Sequence, residues 1–357
     1  MTTTQHLTAL DSGECRRVVQ DDAAAESLRQ AAARNLEYLS RLPINKEMTA
    51  FDRTISAASL TSMMNAISSW PGDDWSGLCD RYHLYKVTAP DLLITGYYQP
   101  ELSASRRRTS RFRYPLYRVP DDLVDIDISQ FCPACERKVV QGRVKDGKLV
   151  PYYTRGEIEA GSLSGRDLEI AWLDDPVEVY FLHVQGSALL RLEDGVLLEV
   201  SYSGTNGQPY TSIGRILIDR GKVSSEAMTL KTLKDYLRAY PEEQASLLSA
   251  NQRYIFFRGV VVGPIGSLGV PLTGGRSLAD DPSIYPPGAL AFVHIAPRPQ
   301  GAASVRRDYR RLAIVQDAGS AISGANRLDV FWGTGSGAEE IAGDMRNPGE
   351  LYLMLPY

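Results

Sequence analysis

The sequence predicts a mainly β protein with accessory helices, and three observations support this prediction. The 357-residue chain contains 30 Gly, 20 Pro and 19 Tyr, residue types that are typical of turns and half-buried strands. Short apolar runs bounded by turn residues fill residues 91–220 and resume after residue 254. Helical periodicity is concentrated in residues 22–70 and 224–251. The chain is long enough for two domains and a large core.

Composition and charge exclude several classes of protein. Hydrophobic residues make up 43% and charged residues 23% of the chain, as in ordinary globular proteins. The net charge of -4 argues against general nucleic-acid binding. No apolar run approaches the roughly 20 residues that span a membrane.

The first twenty residues are polar, without the apolar segment of a signal peptide. No apolar run precedes Cys15, so it does not resemble a lipid-attachment site. Three possibilities stay open: a removed export segment, a start assigned downstream of the natural one, and a cytoplasmic protein.

The elements follow in chain order. One helix is predicted from Ala23 through Leu39 and a second from Asn45 to Trp70, where Trp-Pro-Gly ends it. Further helices are predicted from Ser224 and from Pro241. The predicted strands are residues 92–100, 179–184, 254–257, 289–295, 312–315 and 328–332.

The stretch from Leu312 to Gly333 carries two carboxylates in unusual places. Asp317 follows the apolar run 312–315, and Asp329 shares one face of the next strand with Phe331. Asp is depleted in strands, and a carboxylate beside an aromatic ring is costly to ionise. An acid that must hold a proton near neutral pH is made in this way. The alternative is an edge-strand Asp that faces water and a turn Asp.

Other polar motifs leave alternatives open. Cys132-Pro-Ala-Cys135 lacks the second pair of a zinc site, so a local disulfide or two free thiols are expected, with metal or redox chemistry remaining possible. Arginines interleaved with aromatics can bind polyanions or sugars, or they can form a solvated loop; they stand at positions 106, 107, 108, 111, 113 and 118. His183 is expected to be structural rather than a ligand or a base.

Familiar catalytic signatures are absent. The sequence contains no GxSxG, P-loop, GxGxxG after a strand or HExxH, and its four histidines are not paired at ligand spacing. Carboxylate chemistry remains, with Asp281, Asp317 and Asp329 at Gly- and Pro-rich strand ends. Acid/base cleavage of a glycosidic bond needs carboxylates and little else.

A set of motifs runs in consistent order from about residue 91 to the C-terminus. Asp281-Pro-Ser-Ile-Tyr-Pro-Pro-Gly, Gln316-Asp-Ala-Gly-Ser-Ala-Ile-Ser-Gly and Arg327-Leu-Asp-Val-Phe-Trp-Gly resemble the "3D" domain, named for three aspartates. The upstream motifs are Gly96-Tyr-Tyr-Gln-Pro, Arg113-Tyr-Pro-Leu-Tyr-Arg-Val-Pro, Pro151-Tyr-Tyr-Thr-Arg with Glu157-Ile158, Val184-Gln-Gly-Ser and Ser212-Ile-Gly-Arg-Ile-Leu-Ile-Asp-Arg-Gly. Together these motifs resemble the membrane-bound lytic murein transglycosylase A family.

The resemblance implies a double-psi β-barrel domain, an inserted second β-barrel domain, and a groove between them that holds a glycan. We assign residues 1–100 to a helical lead-in and the first part of the double-psi domain. Residues 101–258 form the inserted domain, and residues 259–357 complete the double-psi domain.

The resemblance also implies a carbon–oxygen lyase without cofactor or metal. Asp329 would protonate the glycosidic oxygen between N-acetylmuramic acid and N-acetylglucosamine, then take the proton from the C6 hydroxyl that attacks C1, leaving a 1,6-anhydro sugar. Intramolecular attack dispenses with a second, nucleophilic carboxylate. Asp317 would support Asp329. The implied substrate-binding residues are Gln99, Tyr97, Tyr98, Gln185, Ser187, Asn206 and Asp281, the last of which could instead hold the barrel strands.

The chain departs from the family at several positions. Ser320 replaces an expected Gly, the loop Ala325-Asn-Arg327 differs in length, Gln99 stands where Thr is commoner, and Cys132-Pro-Ala-Cys135 is peculiar to this chain.

The implied partner is the glycan strand of peptidoglycan, and no nucleic acid is expected. The implied protein is a monomer in the periplasm, associated with the outer membrane through an export or anchor segment that this sequence does not show. Two other functions stay open: a glycan hydrolase that uses Asp329 with Asp317 or Asp281, and a non-catalytic peptidoglycan-binding module in which the arginine-rich stretch binds acidic peptide stems.

Overall fold

The structure is a computed structural model that describes residues 6–130, 132, 139–261, 263–296, 308–319, 322–343 and 345–356. The chain divides into two compact units, the first formed by Met1–Tyr98 and Ile265–Tyr357 and the second by Gln99–Pro264.

The helices are α1 (Ser12–Val18), α2 (Ala25–Leu39), α3 (Ala57–Ser68), α4 (Arg155–Glu157), α5 (Pro176–Gln185), α6 (Ile213–Asp219), α7 (Leu230–Ala239), α8 (Pro241–Ala250) and α9 (Ser336–Gly343). Short 3-10 turns span Ser76–Asp80 and Ile128–Gln130, and a π turn spans Ile158–Ser162.

The strands are β1 (His6–Ala9), β2 (Glu47–Ala50), β3 (Arg53–Ser56), β4 (His83–Thr88), β5 (Leu93–Gln99), β6 (Glu101–Ser105), β7 (Tyr114–Tyr117), β8 (Val124–Asp127), β9 (Val139–Lys145), β10 (Lys148–Pro151), β11 (Glu169–Leu173), β12 (Ser187–Leu192), β13 (Leu197–Thr205), β14 (Ile255–Val260), β15 (Ser277–Asp280), β16 (Leu290–Ile295), β17 (Tyr309–Ala318), β18 (Arg327–Thr334) and β19 (Arg346–Leu355).

A closed barrel forms the centre of the first unit. Strand β5 pairs with β18 on one side and with the first residues of β19 on the other, which closes the ring β5-β18-β15-β17-β16-β19. Strand β15 runs parallel to β17 and antiparallel to β18. Strands β4 and β1 extend the sheet beyond β19.

A helical layer covers one side of this barrel because α2 and α3 bury apolar faces against it. Asp21, ahead of α2, and Arg276, just before β15, form a fully buried ion pair of 2.5 Å that connects the helical layer to the barrel. Arg276 Nη1 also donates to the carbonyl of Leu312 at 2.7 Å. Breaking one member of such a pair typically costs about 3–5 kcal/mol.

The same unit contains a disulfide that the sequence analysis did not predict. Cys15 of α1 is bonded to Cys79 in the 3-10 turn, across 64 residues of sequence. Of the predicted Cys132–Cys135 motif, Cys135 lies outside the described residues.

The second unit is built on a six-stranded sheet in the order β14-β13-β12-β6-β11-β7, whose edge strands β14 and β7 contact each other. Together, the two units confirm the predicted fold class, a mainly β protein with accessory helices.

Two local predictions were wrong. Residues 179–184 belong to α5, because Asp175 caps its N-terminus by accepting from the backbone N–H of Val177, and Gly186 ends it with a left-handed φ of 80°. Burial of Val177 and of every residue from Val179 to His183 hides the helical period in the sequence. Residues 45–56 are not the start of a helix but the β2–β3 hairpin; Ser56 then caps α3.

Candidate active site

Asp329 lies on β18, on the wall of the barrel. Its side chain is 17% exposed. The hydroxyl of Thr95 on β5 donates to Oδ1, and Arg327 Nε donates to the same oxygen at 3.3 Å. Oδ2 lies 3.5 Å from Arg327 Nη2, at the limit of a hydrogen bond. The predicted apolar neighbour, Phe331, instead packs against the ring of Tyr97 at a centroid distance of 5.2 Å. Polar donors therefore surround Asp329.

Asp317 ends the buried part of β17 and is held by several donors. Its Oδ2 accepts from the hydroxyl of Tyr97 at 2.8 Å, and its Oδ1 accepts from the backbone N–H groups of Ser267 at 2.8 Å and Ala318 at 2.9 Å. Burial raises the pKa of Asp317 above its ordinary value, although these hydrogen bonds act in the opposite direction. Burial and the nearby Asp317 carboxylate raise the pKa of Tyr97 well above its ordinary value, so the phenol stays a donor.

The register of β15 brings the two aspartates together. Ala279 pairs with Asp317 on one side and with Asp329 on the other. Because neighbouring strands lie about 4.8 Å apart, the two aspartates stand roughly 10 Å from each other along the sheet. The two residues that the sequence analysis proposed as a pair therefore lie on one sheet, on either side of β15.

Asp280, the next residue of β15, is a third carboxylate that the sequence analysis missed. It is 1% exposed, and neither carboxylate oxygen has a hydrogen-bond partner among the described residues. Burial, followed by the charges of Asp281 and Asp317, raises the pKa of Asp280 well above its ordinary value. A buried carboxyl group without donors is favoured in its neutral form.

Asp281 has a different environment, although it is the next residue in the chain. Its Oδ2 accepts from the backbone N–H of Gly324 at 2.7 Å, and its Oδ1 accepts from Ser283. Burial opposes the effect, but these hydrogen bonds lower the pKa of Asp281. Of its two predicted roles, this contact fits the structural one, because it ties the end of β15 to the loop before β18.

Gly96 explains how β5 approaches the site so closely. A Cβ atom at this position would lie 2.9 Å from the ring of Trp332 and 2.8 Å from the Cα of Ala342. Only glycine therefore lets Thr95 and Tyr97 face the aspartates from a strand packed this tightly.

The remaining predicted binding residues fall into two groups. Tyr98 is 1% exposed and Asn206 is 0% exposed. The Asn206 amide donates to the carbonyls of Tyr153 and Gln252 at 2.8 and 2.9 Å, and its oxygen accepts from the backbone N–H of Tyr254. Tyr98 therefore packs in the interior and Asn206 organises a loop, and their assignment as substrate contacts stays a prediction.

Gln99, Gln185 and Ser187 lie at one end of the second unit's strands. Gln99 donates to Glu199 at 2.9 Å, and Glu199 pairs across the sheet with Leu189, two residues after Ser187. Gln185 is the last residue of α5 and is half-buried. These three remain predicted substrate contacts.

Thr95, Arg327 and Asp280 are the site residues that sequence reasoning missed. One feature of the sequence could have drawn attention to Asp280, the doubled Asp in Leu-Ala-Asp-Asp-Pro. No local feature of the sequence indicates Thr95, because its contact depends on the pairing of strands 234 residues apart. His183, expected to be structural, is buried beside Arg155, and burial lowers its pKa well below its ordinary value. Within the described ranges, no cluster of three or more His, Cys, Asp or Glu side chains could hold a metal ion.

Two family models match the chain, the MltA specific insert domain over residues 93–258 and the 3D domain over residues 276–355. A membrane-bound lytic murein transglycosylase from Agrobacterium tumefaciens has a structure with a TM-score of 0.86 and 32% identity, over 98% of this chain and 97% of that one. The chain belongs to the membrane-bound lytic murein transglycosylase A family. MltA from Neisseria gonorrhoeae gives a TM-score of 0.78 at 28% identity, over 99% of this chain and 93% of that one.

Curated relatives give a consistent result. The transglycosylase A of Escherichia coli K12 is 32% identical over 265 residues, and that of Vibrio cholerae is 31% identical over 267 residues. The matches cover 73% and 74% of this chain, and they span 65% of the length of each relative. Across the part of the chain that the structure describes, no helix is long and apolar enough to span a membrane.

Proposed function

We propose that this chain is a lytic transglycosylase that cleaves the β-1,4 bond between N-acetylmuramic acid and N-acetylglucosamine in peptidoglycan without adding water. The observation that carries this proposal is the position of Asp329 on the barrel wall, where Thr95 holds one of its oxygens and Asp317 lies on the other side of β15. The names of the relatives support the substrate class, and an E. coli MltA structure contains bound chitohexaose.

In the mechanism that we propose, Oδ2 of Asp329 carries the proton, because Thr95 and Arg327 Nε donate to Oδ1 whereas Oδ2 has only the long contact of 3.5 Å from Arg327 Nη2. The proton passes to the glycosidic oxygen as the bond from that oxygen to muramoyl C1 breaks. The carboxylate left behind is stabilised by its two donors. It then takes the proton of the C6 hydroxyl as that oxygen bonds to C1, which forms the 1,6-anhydro ring and restores the acid.

Asp317 serves in this mechanism as support rather than as a nucleophile. Its two oxygens already accept three hydrogen bonds, from Tyr97, Ser267 and Ala318. A carboxylate committed in this way is poorly placed to attack a sugar or to activate water. This favours the lyase over a two-carboxylate hydrolase.

We further propose that the enzyme works in the bacterial cell envelope. The relatives are named as membrane-bound murein enzymes. The Cys15–Cys79 disulfide fits an oxidising compartment outside the cytoplasm.

The test compares Asp329→Asn with the wild type on intact peptidoglycan. Loss of the acid/base group is expected to reduce anhydro-muropeptide release by about 10³-fold, while glycan binding persists. Mass spectrometry of the products gives the readout. Asp308→Asn serves as the control, because Asp308 is an exposed aspartate that lies beside His294 on the same sheet.

Other products would change the assignment. If the wild type released products with reducing ends, which carry added water, the activity would be that of a hydrolase and not of a lyase. Saturable binding without any product would indicate a binding module. If Asp329→Asn reduced the release of anhydro-muropeptides by less than tenfold, Asp329 would not have the proposed role.

A further inference from the structure

A cavity of about 730 Å³ lies within the second unit and is lined only by residues of that unit. Its walls come from the start of β7, from β11, from the π turn Ile158–Ser162, and from α5 and α8. This volume falls within the range of roughly 300–1,000 Å³ that is typical of ligand pockets.

The arginine-rich stretch supplies the positive side of this cavity. Three of its arginines are neutralised elsewhere, in the pairs Arg106–Asp194, Arg111–Asp174 and Arg118–Asp121. Arg108 and Arg113 line the cavity instead, and within the described ranges neither has a carboxylate partner. Their guanidinium groups lie over the rings of Trp172 and Tyr114, with distances to the ring centroids of 5.9 and 5.6 Å.

Glu169 supplies the negative side of this cavity, and a β-bulge turns its side chain toward it. Glu169 and Trp172 both line the cavity, although residues three apart on a regular strand point to opposite faces. The register of β11 against β7 shifts between Glu169 and Ala171, and this irregularity lets both side chains face the same space. Glu169 has no ion-pair partner among the described residues.

The cavity wall beside Glu169 is also irregular. Gly161 adopts a φ of 106° inside the π turn and lines the cavity together with Glu159. Glu159 is bound to the buried Arg155 at 3.1 Å, so its charge is already used. Such turns occur often at functional sites.

We propose that this cavity binds a short peptide that carries both carboxylates and a free amine. Arg108 and Arg113 would receive the carboxylates, since guanidinium groups bind carboxylates in paired hydrogen bonds. Glu169 would receive the amine, and Trp172 would cover an aliphatic side chain. A polyphosphate or nucleic acid fits less well, because the carboxylate of Glu169, unpaired among the described residues, would repel it.

This inference rests on the proposed function, since the peptide stems of peptidoglycan have this chemistry, whereas its glycan backbone offers no such pairing of charges. The cavity would therefore recognise the stem of the substrate, and the barrel would act on the sugar. The enzyme would then cleave stem-bearing strands more efficiently than strands stripped of their peptides.

The test measures binding of a free stem tetrapeptide, with a diamino acid at its third position, by Trp fluorescence or calorimetry. The double variant Arg108→Gln/Arg113→Gln is expected to bind at least about tenfold more weakly. The matched control is Arg106→Gln/Arg118→Gln, from the same stretch, which should bind within about twofold of the wild type. Glu169→Gln should weaken binding of the free peptide but not of a peptide whose amine is acetylated.

Activity assays separate the two proposals. The Arg108/Arg113 variant should lose its preference for stem-bearing over stem-free glycan, while its rate on stem-free glycan stays unchanged. Absent peptide binding by the wild type, or equal losses in both double variants, would overturn the peptide site and leave the transglycosylase intact. Peptide binding by a protein that releases no anhydro products would instead remove the proposed reaction.

Discussion

Two buried polar groups, Arg155 in the second unit and Asp280 in the first, have opposite environments. In the second unit, the guanidinium of Arg155 is 1% exposed and is bonded to the carbonyls of Asn251 and Arg253, to Glu159 and to His183. In the barrel of the first unit, Asp280 is equally buried, yet its carboxyl group has no partner among the described residues. The first arrangement stabilises a fold, whereas the second keeps a proton on an acid. Perturbed groups of the second kind mark functional sites.

Among the tests of this comparison, Arg155→Met is expected to have the largest effect, and it acts on the free energy of unfolding. Removing the guanidinium leaves buried carbonyls and His183 without their donor, which should lower the free energy of unfolding by about 3–5 kcal/mol. Urea denaturation of the full chain measures this change. Arg166→Met is the control, because its ion pair with Asp122 is partly exposed and should contribute at most about 1 kcal/mol. Similar losses in both variants would mean that the Arg155 contacts are not stabilising in the way described.

A smaller effect, on activity, is expected from Tyr97→Phe. Losing the hydrogen bond to Asp317 should reduce the rate about 10- to 100-fold, since a hydrogen bond to a charged group contributes about 1.5–3 kcal/mol. The pKa of Asp317 should rise further, because a donor that favours its ionised form is gone. The acid limb of the pH–rate profile should therefore move to higher pH.

Tyr352→Phe provides the matched control for Tyr97→Phe. Tyr352 also donates to a carboxylate on the same sheet, that of Glu350 at 3.0 Å, but it contacts none of the three site aspartates. Its rate and pH profile should stay unchanged. An unchanged acid limb in Tyr97→Phe would show that the ionisation of Asp317 does not control the reaction.

The smallest effect is expected from Asp280→Asn, and it concerns the pH dependence of stability. The folded-state pKa of Asp280 is raised well above 3.8, so between these values the folded chain binds more protons than the unfolded chain. Its contribution to stability is full below pH 3.8 and is lost as pH rises. Relative to the wild type, the Asn variant should gain up to about 1.4 kcal/mol per pH unit across this window.

Asp281→Asn should show the opposite slope. The folded-state pKa of Asp281 is lowered, so its contribution is present above its unfolded pKa and is lost as pH falls. Denaturant titrations between about pH 3 and 8 would compare the two neighbours. Equal slopes in both variants would contradict the difference between their environments.

The sequence predicts those parts of the site that depend on local patterns. The strands that carry Asp317 and Asp329 are visible in the alternation of apolar residues, and both were found as β17 and β18. The position of Asp280 opposite Ala318, the residue after Asp317, depends on a parallel pairing that no local pattern records. The same holds for Thr95 and for the Cys15–Cys79 bond, whose partners are far apart in sequence.

The helix α5 was mistaken for a strand for a different reason. Its residues from Val179 to His183 are all buried, so the alternation between apolar and polar faces that distinguishes a helix is missing. The cap at Asp175 and the glycine at 186 were the signals that could have corrected the prediction.

The ring of the barrel is closed by a strand that follows the second unit in the chain. Strand β19, residues Arg346–Leu355, completes the ring by pairing with β5, β16 and β4, and the second unit is synthesised before it. A chain still emerging from the ribosome therefore lacks the strand that closes the ring around Asp329. Closing the ring pairs Arg346 with Thr95, so it joins strands that are distant in sequence, and such non-local pairings form slowly.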